Sequence, residues 1–306
     1  MKALVVGYNA WDVVLFCDGL PERDSKREYP AIRQGGGGPA ATAAVALARL
    51  GAEVRYAGIL ADDSCGLMQR AELVEAGVDL SFCVAAPGAS SPQAIIIVDI
   101  GTGERRICWS RGDLRHLKAG EIPLEALDDA DLLLADGHEP EAVIPLAREA
   151  SRRGNPVVID GGTYRAGLEQ LVAVATDVIG AQGFATDLTG QSAHREALQA
   201  LQALGPSRVA TTFGPAGCLA LLEGRIVHVP AFDVPTVDTT GAGDAFHAGY
   251  AWGLLKGQDF RESLRYGAAV AALKCRSWGG RSGLPVAAEV DAMLAQGNPR
   301  SNVPPV

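Results

Sequence analysis

Asp238-Thr239-Thr240-Gly241-Ala242-Gly243-Asp244-Ala245-Phe246 puts a turn of small residues, a helix start and a carboxylate within nine positions. Upstream, Ile226 to Val237 carries Val227, Val229, Phe232, Val234 and Val237; downstream, Ala245 to Leu255 is almost wholly apolar. A strand is therefore expected to enter the turn and a buried helix to leave it. The first N–H groups of such a helix have no partner inside it, and the aligned peptide dipoles make that end positive, so anions settle there. Gly241, Ala242 and Gly243 put little side chain in the way of a phosphoryl group. Asp244 would repel that anion unless it accepts a proton from an attacking hydroxyl, which makes it the candidate catalytic base. The competing reading is an acidic residue that only complements the helix dipole.

The rest of the chain bounds this reading. Its 306 residues suffice for one large α/β domain, and 48% hydrophobic with 21% charged residues is ordinary for a globular protein. A net charge of −9 argues against nucleic acid as a partner, yet backbone dipoles can still hold phosphates locally. Six cysteines, Cys17, Cys65, Cys83, Cys108, Cys218 and Cys275, show no C-x-x-C spacing, which fits reduced thiols in a cytoplasmic protein and no zinc site. The apolar run Ala3 to Gly7 is too short for a signal peptide, and no run reaches the ~20 residues of a membrane span.

Strand-like and helical segments alternate: Ala3 to Val6, Ala40 to Leu50 (helix), Glu53 to Ile59, Gly66 to Ala76 (helix), Asp131 to Ala135, Ile144 to Arg153 (helix) and Pro156 to Ile159. That rhythm predicts a doubly wound, mostly parallel sheet flanked by helices. Two stretches break it. Val13 to Arg33 has no helical stripe, and Ser90 to Arg111 reads as a hairpin around Gly101-Thr102-Gly103. By themselves they fit a surface excursion or an oligomer contact equally well. The tail, Gln296 to Val306, is rich in Pro, Asn and Ser and is expected to fray.

Several chemistries are absent. No lysine follows the glycine run Gly35 to Gly38 as a Walker A loop requires, and His138-Glu139 lacks a second histidine at zinc-protease spacing. No Gly-x-Ser-x-Gly elbow occurs, and Gly7-Tyr8-Asn9-Ala10 does not supply a dinucleotide fingerprint.

The motif Asp-Thr-Thr-Gly-Ala-Gly-Asp-x-Phe, followed by Ala248-Gly249, resembles the C-terminal signature of the ribokinase-like (PfkB-type) carbohydrate kinase family. Gly37-Gly38-Pro39-Ala40-Ala41-Thr42 resembles its substrate loop, Thr212-Phe213-Gly214-Pro215-Ala216-Gly217 its turn beside the nucleotide, and Ala271 to Pro285 its closing helix and loop. Within the family, the form of the glycine loop and the Ala-Leu-Lys-Cys segment are most similar to the sulfofructose kinase branch, although the basic and amide residues of a sulfonate site have no clear counterparts near Trp109, Ser110, Gly137 or His138.

The resemblance implies one ribokinase-like domain with a small β lid formed by about residues 12–34 and 88–112, whose edge could pair in a homodimer. It implies ATP-dependent phosphorylation of a sugar hydroxyl, with a nucleoside kinase or a non-catalytic sensor as alternatives. Asp12, Gly37, Gly38 and Thr42 would orient the acceptor; Thr42 stands where the family usually has asparagine. A solvated loop aspartate and a plain strand-to-helix turn are the simpler readings of Asp12 and of the glycine run. Thr212, Gly214, Gly217, Lys274 and Gly280 would lie beside ATP, and Arg281 and Arg165 are further basic candidates; each such charge could equally be a solvated surface group. His247 is expected to pack. Asp238 and Thr240 would hold a monovalent cation such as potassium, unless Thr240 is simply the helix N-cap. The family's magnesium-organising Asn-x-x-Glu falls on Ala181, Gln182, Gly183 and Phe184, so magnesium would depend on the nucleotide's phosphates and water.

Overall fold

The apolar run at the N-terminus folds as β1 (Lys2–Val6), and the next two strands, β2 (Ala10–Cys17) and β3 (Ile32–Gly37), leave the main sheet before α1 (Pro39–Leu50) returns to it. The chain continues through β4 (Glu53–Ala57), β5 (Ile59–Ala61), α2 (Ser64–Glu75), β6 (Val84–Ala86), β7 (Gln93–Asp99) and β8 (Arg105–Ser110). Then follow β9 (Leu132–Asp136), α3 (Pro140–Arg152), β10 (Val157–Gly161), α4 (Glu169–Val172), β11 (Asp177–Ala181), α5 (Phe184–Thr189), α6 (His194–Ala203) and β12 (Arg208–Thr212). An antiparallel pair, β13 (Cys218–Leu222) and β14 (Arg225–Val229), precedes α7 (Ala242–Leu255), α8 (Phe260–Lys274) and α9 (Ala287–Gln296). This computed structural model describes residues 1–29, 31–101 and 105–304. The expected turn residues Thr102 and Gly103, with Pro30 of the first lid stretch and the last two tail residues, lie outside them.

Eight strands form one sheet in the order β14-β13-β12-β11-β10-β9-β1-β4, parallel from β12 to β4. Strands such as Leu132–Asp136 are buried on both faces, which is why they read as continuous apolar runs. One face is covered by α1, α7 and α8, the other by α3 and α6, each with its own apolar core. Helix α7 is buried from Ala245 to Gly253, as an all-round apolar helix must be. A Cβ at Gly249 would meet Val270 Cγ2 at 2.7 Å, so glycine is what allows α7 and α8 to touch.

A separate four-stranded sheet, β3-β2-β7-β8, stands off one end. Its inner face packs Val14, Phe16, Ala94, Ile96 and Val98 into a small core of their own. Two expectations fail. The strand upstream of the motif ends at Val229, and an irregular connection over residues 230–241 leads to α7, because β14 is an antiparallel edge strand that must cross back over the sheet. The start of the tail does not fray: Arg300 N–H donates to Ala231 O at 2.7 Å and Asp233 N–H to Asn298 O at 2.9 Å.

Candidate active site

From β1 the sheet winds outward to β4, and from β9 it winds the other way through β10, β11 and β12. Ligand crevices of open α/β sheets form at the carboxyl ends of strands where the winding reverses. Here those ends are Val6-Gly7-Tyr8 and Asp136-Gly137-His138. Asp136 fastens them: its Oδ2 accepts the N–H groups of Tyr8 at 2.8 Å and Ala40 at 3.1 Å, and its Oδ1 accepts that of His138 at 2.9 Å. The Tyr8 and His138 rings stack 4.4 Å apart, with Trp109 edge-on at 6.0 Å from Tyr8. Arg111 lies over the Tyr8 ring and pairs with buried Glu139, while Arg165 Nη2 is 3.2 Å from His138 Nε2. The Tyr8 hydroxyl is buried and finds no partner among the described residues; burial pushes its pKa up to about 12, so it stays a donor.

Asp12 lies on β2 opposite Gly35. A Cβ at Gly37 would sit 2.2 Å from Asp12 Oδ2, so only glycine lets the carboxylate rest against this loop; Gly38 then turns the chain, with φ 84°, into Pro39 at the start of α1. Burial raises the Asp12 pKa to about 6, opposed by Arg281 and reinforced by Asp244 and Glu72. A cleft of about 1040 Å³ runs from Asp12 past Gly35 and Gly36 to Trp278 and Gly280, but Asp244 does not line it.

Thr42, expected to meet the acceptor, is 1% exposed, and its hydroxyl accepts from Arg281 Nε at 3.3 Å. Arg281 is 9% exposed, at the edge of that cleft. It is buried under the glycine loop, where it donates to Gly37 O at 2.5 Å and Asn9 Oδ1 at 3.1 Å and pairs with Glu72 at 3.2 Å. Five donors in a rigid fork suit that task better than a lysine would.

Gly241, with φ 76°, precedes α7 in the left-handed conformation, and no side chain caps the helix, so Thr240 is not its N-cap. Ala245 N–H donates to Gly241 O at 2.9 Å, while Ala242 N–H turns back onto Thr239 O at 3.1 Å. Ala242, expected among the anion-binding donors, is thus already engaged; Gly241, Gly243 and Asp244 carry the remaining first N–H groups. The Asp244 pKa is raised to about 6, first by burial and then by Asp160, with His247 and Arg105 pulling it down. A helix start favours the ionised carboxylate, and desolvation outweighs that here. His247 packs as expected, its Nε2 2.9 Å from Ile179 O and its Nδ1 3.1 Å from Asp160 Oδ2.

On the other side of the motif, Thr212 ends β12 with its hydroxyl donating to Gly180 O at 3.3 Å, and Gly214 and Gly217 shape the following turn with φ 53° and 84°. Gly280 packs on the motif: a Cβ at Gly241 would lie 2.7 Å from Gly280 O. Lys274, expected beside ATP, is instead fully buried, its ammonium donating to Asp238 O at 2.9 Å. The Asp238 carboxylate accepts from Thr240 N–H and Gly279 N–H, each at 2.8 Å.

The metal expectations meet different answers. Ala181 ends β11 and Phe184 is buried against Gly161 and Gly180, so neither of the motif's two ligand positions carries a side-chain oxygen for magnesium. Thr240 Oγ1 is a buried oxygen with no partner among the described residues, as a cation ligand could be. Yet a potassium ion there would share Asp238 O with an ammonium, and two unit charges ~4 Å apart repel by about 4 kcal/mol at an effective dielectric of ~20. The residues present do not fit it.

Tyr8, Asp136, Asp160 and Arg105 went unnoticed in the sequence. The available signal was position: Asp136 and Asp160 each close an apolar strand run, where a carboxylate has no packing reason to be.

The model of the family described as pfkB family carbohydrate kinase matches residues 1–287. An ATP-dependent ribose-1-phosphate kinase of Halopiger xanaduensis is 32% identical over 97% of this chain and 99% of its own, and a ribokinase of Bacillus subtilis is 27% identical over 95% and 98%. A solved structure from Agrobacterium tumefaciens, provisionally named a ribokinase, superposes with a TM-score of 0.90 at 31% identity, covering 96% of this chain and 97% of that one. Among the described residues, no helix is long and apolar enough to cross a membrane. With fold, glycine loop and helix-end motif in agreement, the chain belongs to the pfkB family of carbohydrate kinases.

Proposed function

We propose that the protein transfers the γ-phosphoryl group of ATP to a hydroxyl of a sugar, with Asp244 as base and the start of α7 as the anion hole. The observation that carries this reading is Asp244 in the first turn of α7, after the left-handed Gly241, with Asp12 resting against the glycine loop. Asp12 accepts hydrogen bonds from acceptor hydroxyls, and Gly37 and Gly38 present backbone to the sugar. Asp244 takes the proton of the attacking hydroxyl as its oxygen bonds to phosphorus and the bridging bond to ADP breaks. The N–H groups of Gly241 and Gly243 face the charge that builds on the transferring group. In a loose transition state positioning supplies most of the rate, and the proton moves late. Magnesium arrives with the nucleotide's own phosphates.

A phosphorylated pentose is the acceptor best suited to the basic cluster at Tyr8, where Arg111 lies over the ring, His138 stacks on it and Arg165 meets His138. The name of the Halopiger relative points the same way. The four-stranded sheet acts as a lid over this cluster, and its β8 edge is the surface through which two copies would pair.

The test is ADP release with ribose, ribose 1-phosphate, fructose, a sulfonated ketose and adenosine. Turnover of at least one sugar, lost in Asp244→Asn, supports the reading. Adenosine as the sole substrate favours a nucleoside kinase, and silence despite ligand-induced thermal shifts a sensor.

A further inference from the structure

We propose that Lys274 is a built-in monovalent cation: its ammonium holds the motif turn against the 279–280 turn, so that the chain needs no potassium. A lysine is almost never fully buried unless it is paired, and Lys274 is 0% exposed at the end of α8. Its place in the fold is specific. The ammonium donates to Asp238 O, while the Asp238 carboxylate reaches forward to Thr240 N–H and sideways to Gly279 N–H. The chain just past Lys274 adds to the tie, since Cys275 O accepts Val237 N–H at 2.8 Å. One cation and one carboxylate thus fix both turns that meet where Gly241 abuts Gly280.

That meeting point is the base of the anion hole. Burial lowers the Lys274 pKa and the Asp238 carboxylate opposes that, and the charged ammonium reinforces the helix end. A soluble ion would supply the same charge only at the entropic cost of its capture and only at sufficient concentration. The side chain brings it covalently attached.

The catalytic arm of the test rests on the kinase reading; the melting arm does not. Purified full-length protein is assayed at constant ionic strength while potassium replaces tetramethylammonium. For the wild type, kcat and Tm are expected to change by less than about twofold and about a degree, since only general screening is altered. Lys274→Met is expected to lose roughly tenfold or more in kcat and to melt lower, and potassium or ammonium, but not tetramethylammonium, should restore part of both. Saturable potassium activation or stabilisation of the wild type would overturn the proposal, as would a Lys274→Met protein that equals the wild type in every salt. Lys274→Gln serves if the methionine variant does not fold. If no sugar is turned over, selective restoration of the variant's Tm still supports the proposal, and potassium-dependent melting of the wild type still refutes it.

Discussion

Arg105 on β8 donates through Nη1 to Thr239 Oγ1 at 2.8 Å, so the small sheet touches the motif across 134 residues of chain. This exposed arginine also lowers the pKa of Asp244. Arg105→Ala is expected to cut kcat roughly five- to tenfold, the scale of one solvent-screened charge. It should also move the acid limb of the pH–rate profile upward, and an unmoved limb would disconnect Arg105 from Asp244.

Asp244 must be ionised to accept a proton, so kcat should rise with pH through about 6. Asp244→Asn should lower kcat by ~10²–10⁴ while calorimetry still detects ATP at near wild-type affinity. Asp160 raises the Asp244 pKa, hence Asp160→Asn should shift the limb to lower pH. A shift in the opposite direction would contradict the charge arrangement.

Asp12 titrates at about 6 when folded, against 3.8 as an ordinary carboxyl. A raised pKa means that the folded chain binds a proton the unfolded chain has released. The resulting stability is full below pH 3.8 and is lost as pH rises through about 6. Thermal melts should therefore show Asp12→Asn gaining on the wild type between those values, by up to about 3 kcal/mol for a two-unit shift. A difference independent of pH would mean that Asp12 is not perturbed.

Gly37→Ala drives a Cβ into the Asp12 carboxylate. The acceptor KM is expected to rise about tenfold or more, since displacement of a positioning group by an ångström is costly, with ATP affinity held. Equal loss for both substrates would point to general misfolding of the loop.

Arg281→Met removes the cation that serves Glu72, Asn9, Thr42 and the Gly37 carbonyl. Breaking a buried pair costs about 3–5 kcal/mol, and because Glu72 is partly exposed and can hydrate, urea denaturation should fall near about 3. A change below about 1 kcal/mol would show the network to be dispensable.

The architecture was legible because its signals are local: apolar runs for the parallel strands, glycines before a proline for α1, small residues before an apolar helix for α7. What escaped depends on contacts between distant segments. Asp136 fastens Tyr8 and Ala40 from more than ninety residues away, and nothing in its neighbours announces that. Lys274 and Arg281 were read as surface or nucleotide charges because a basic residue is usually solvated. Only the packing of α8 and of the loop that follows it shows that both point inward. The apolar segment Ala268 to Leu273 leading into Lys274 was a usable hint. Ala242 was misread for a simpler reason, since hydrogen bonding at a turn is decided by dihedral angles that composition does not specify.

The small sheet encloses Val14, Phe16, Ala94, Ile96 and Val98 apart from the two large cores. It is nevertheless tied to the body, Arg105 Nη1 to Thr239 Oγ1 and the Phe16 ring edge-on to Trp278 at 4.2 Å. A substitution inside that small core would therefore be felt at the motif turn through those two contacts, while the two large cores keep their own packing.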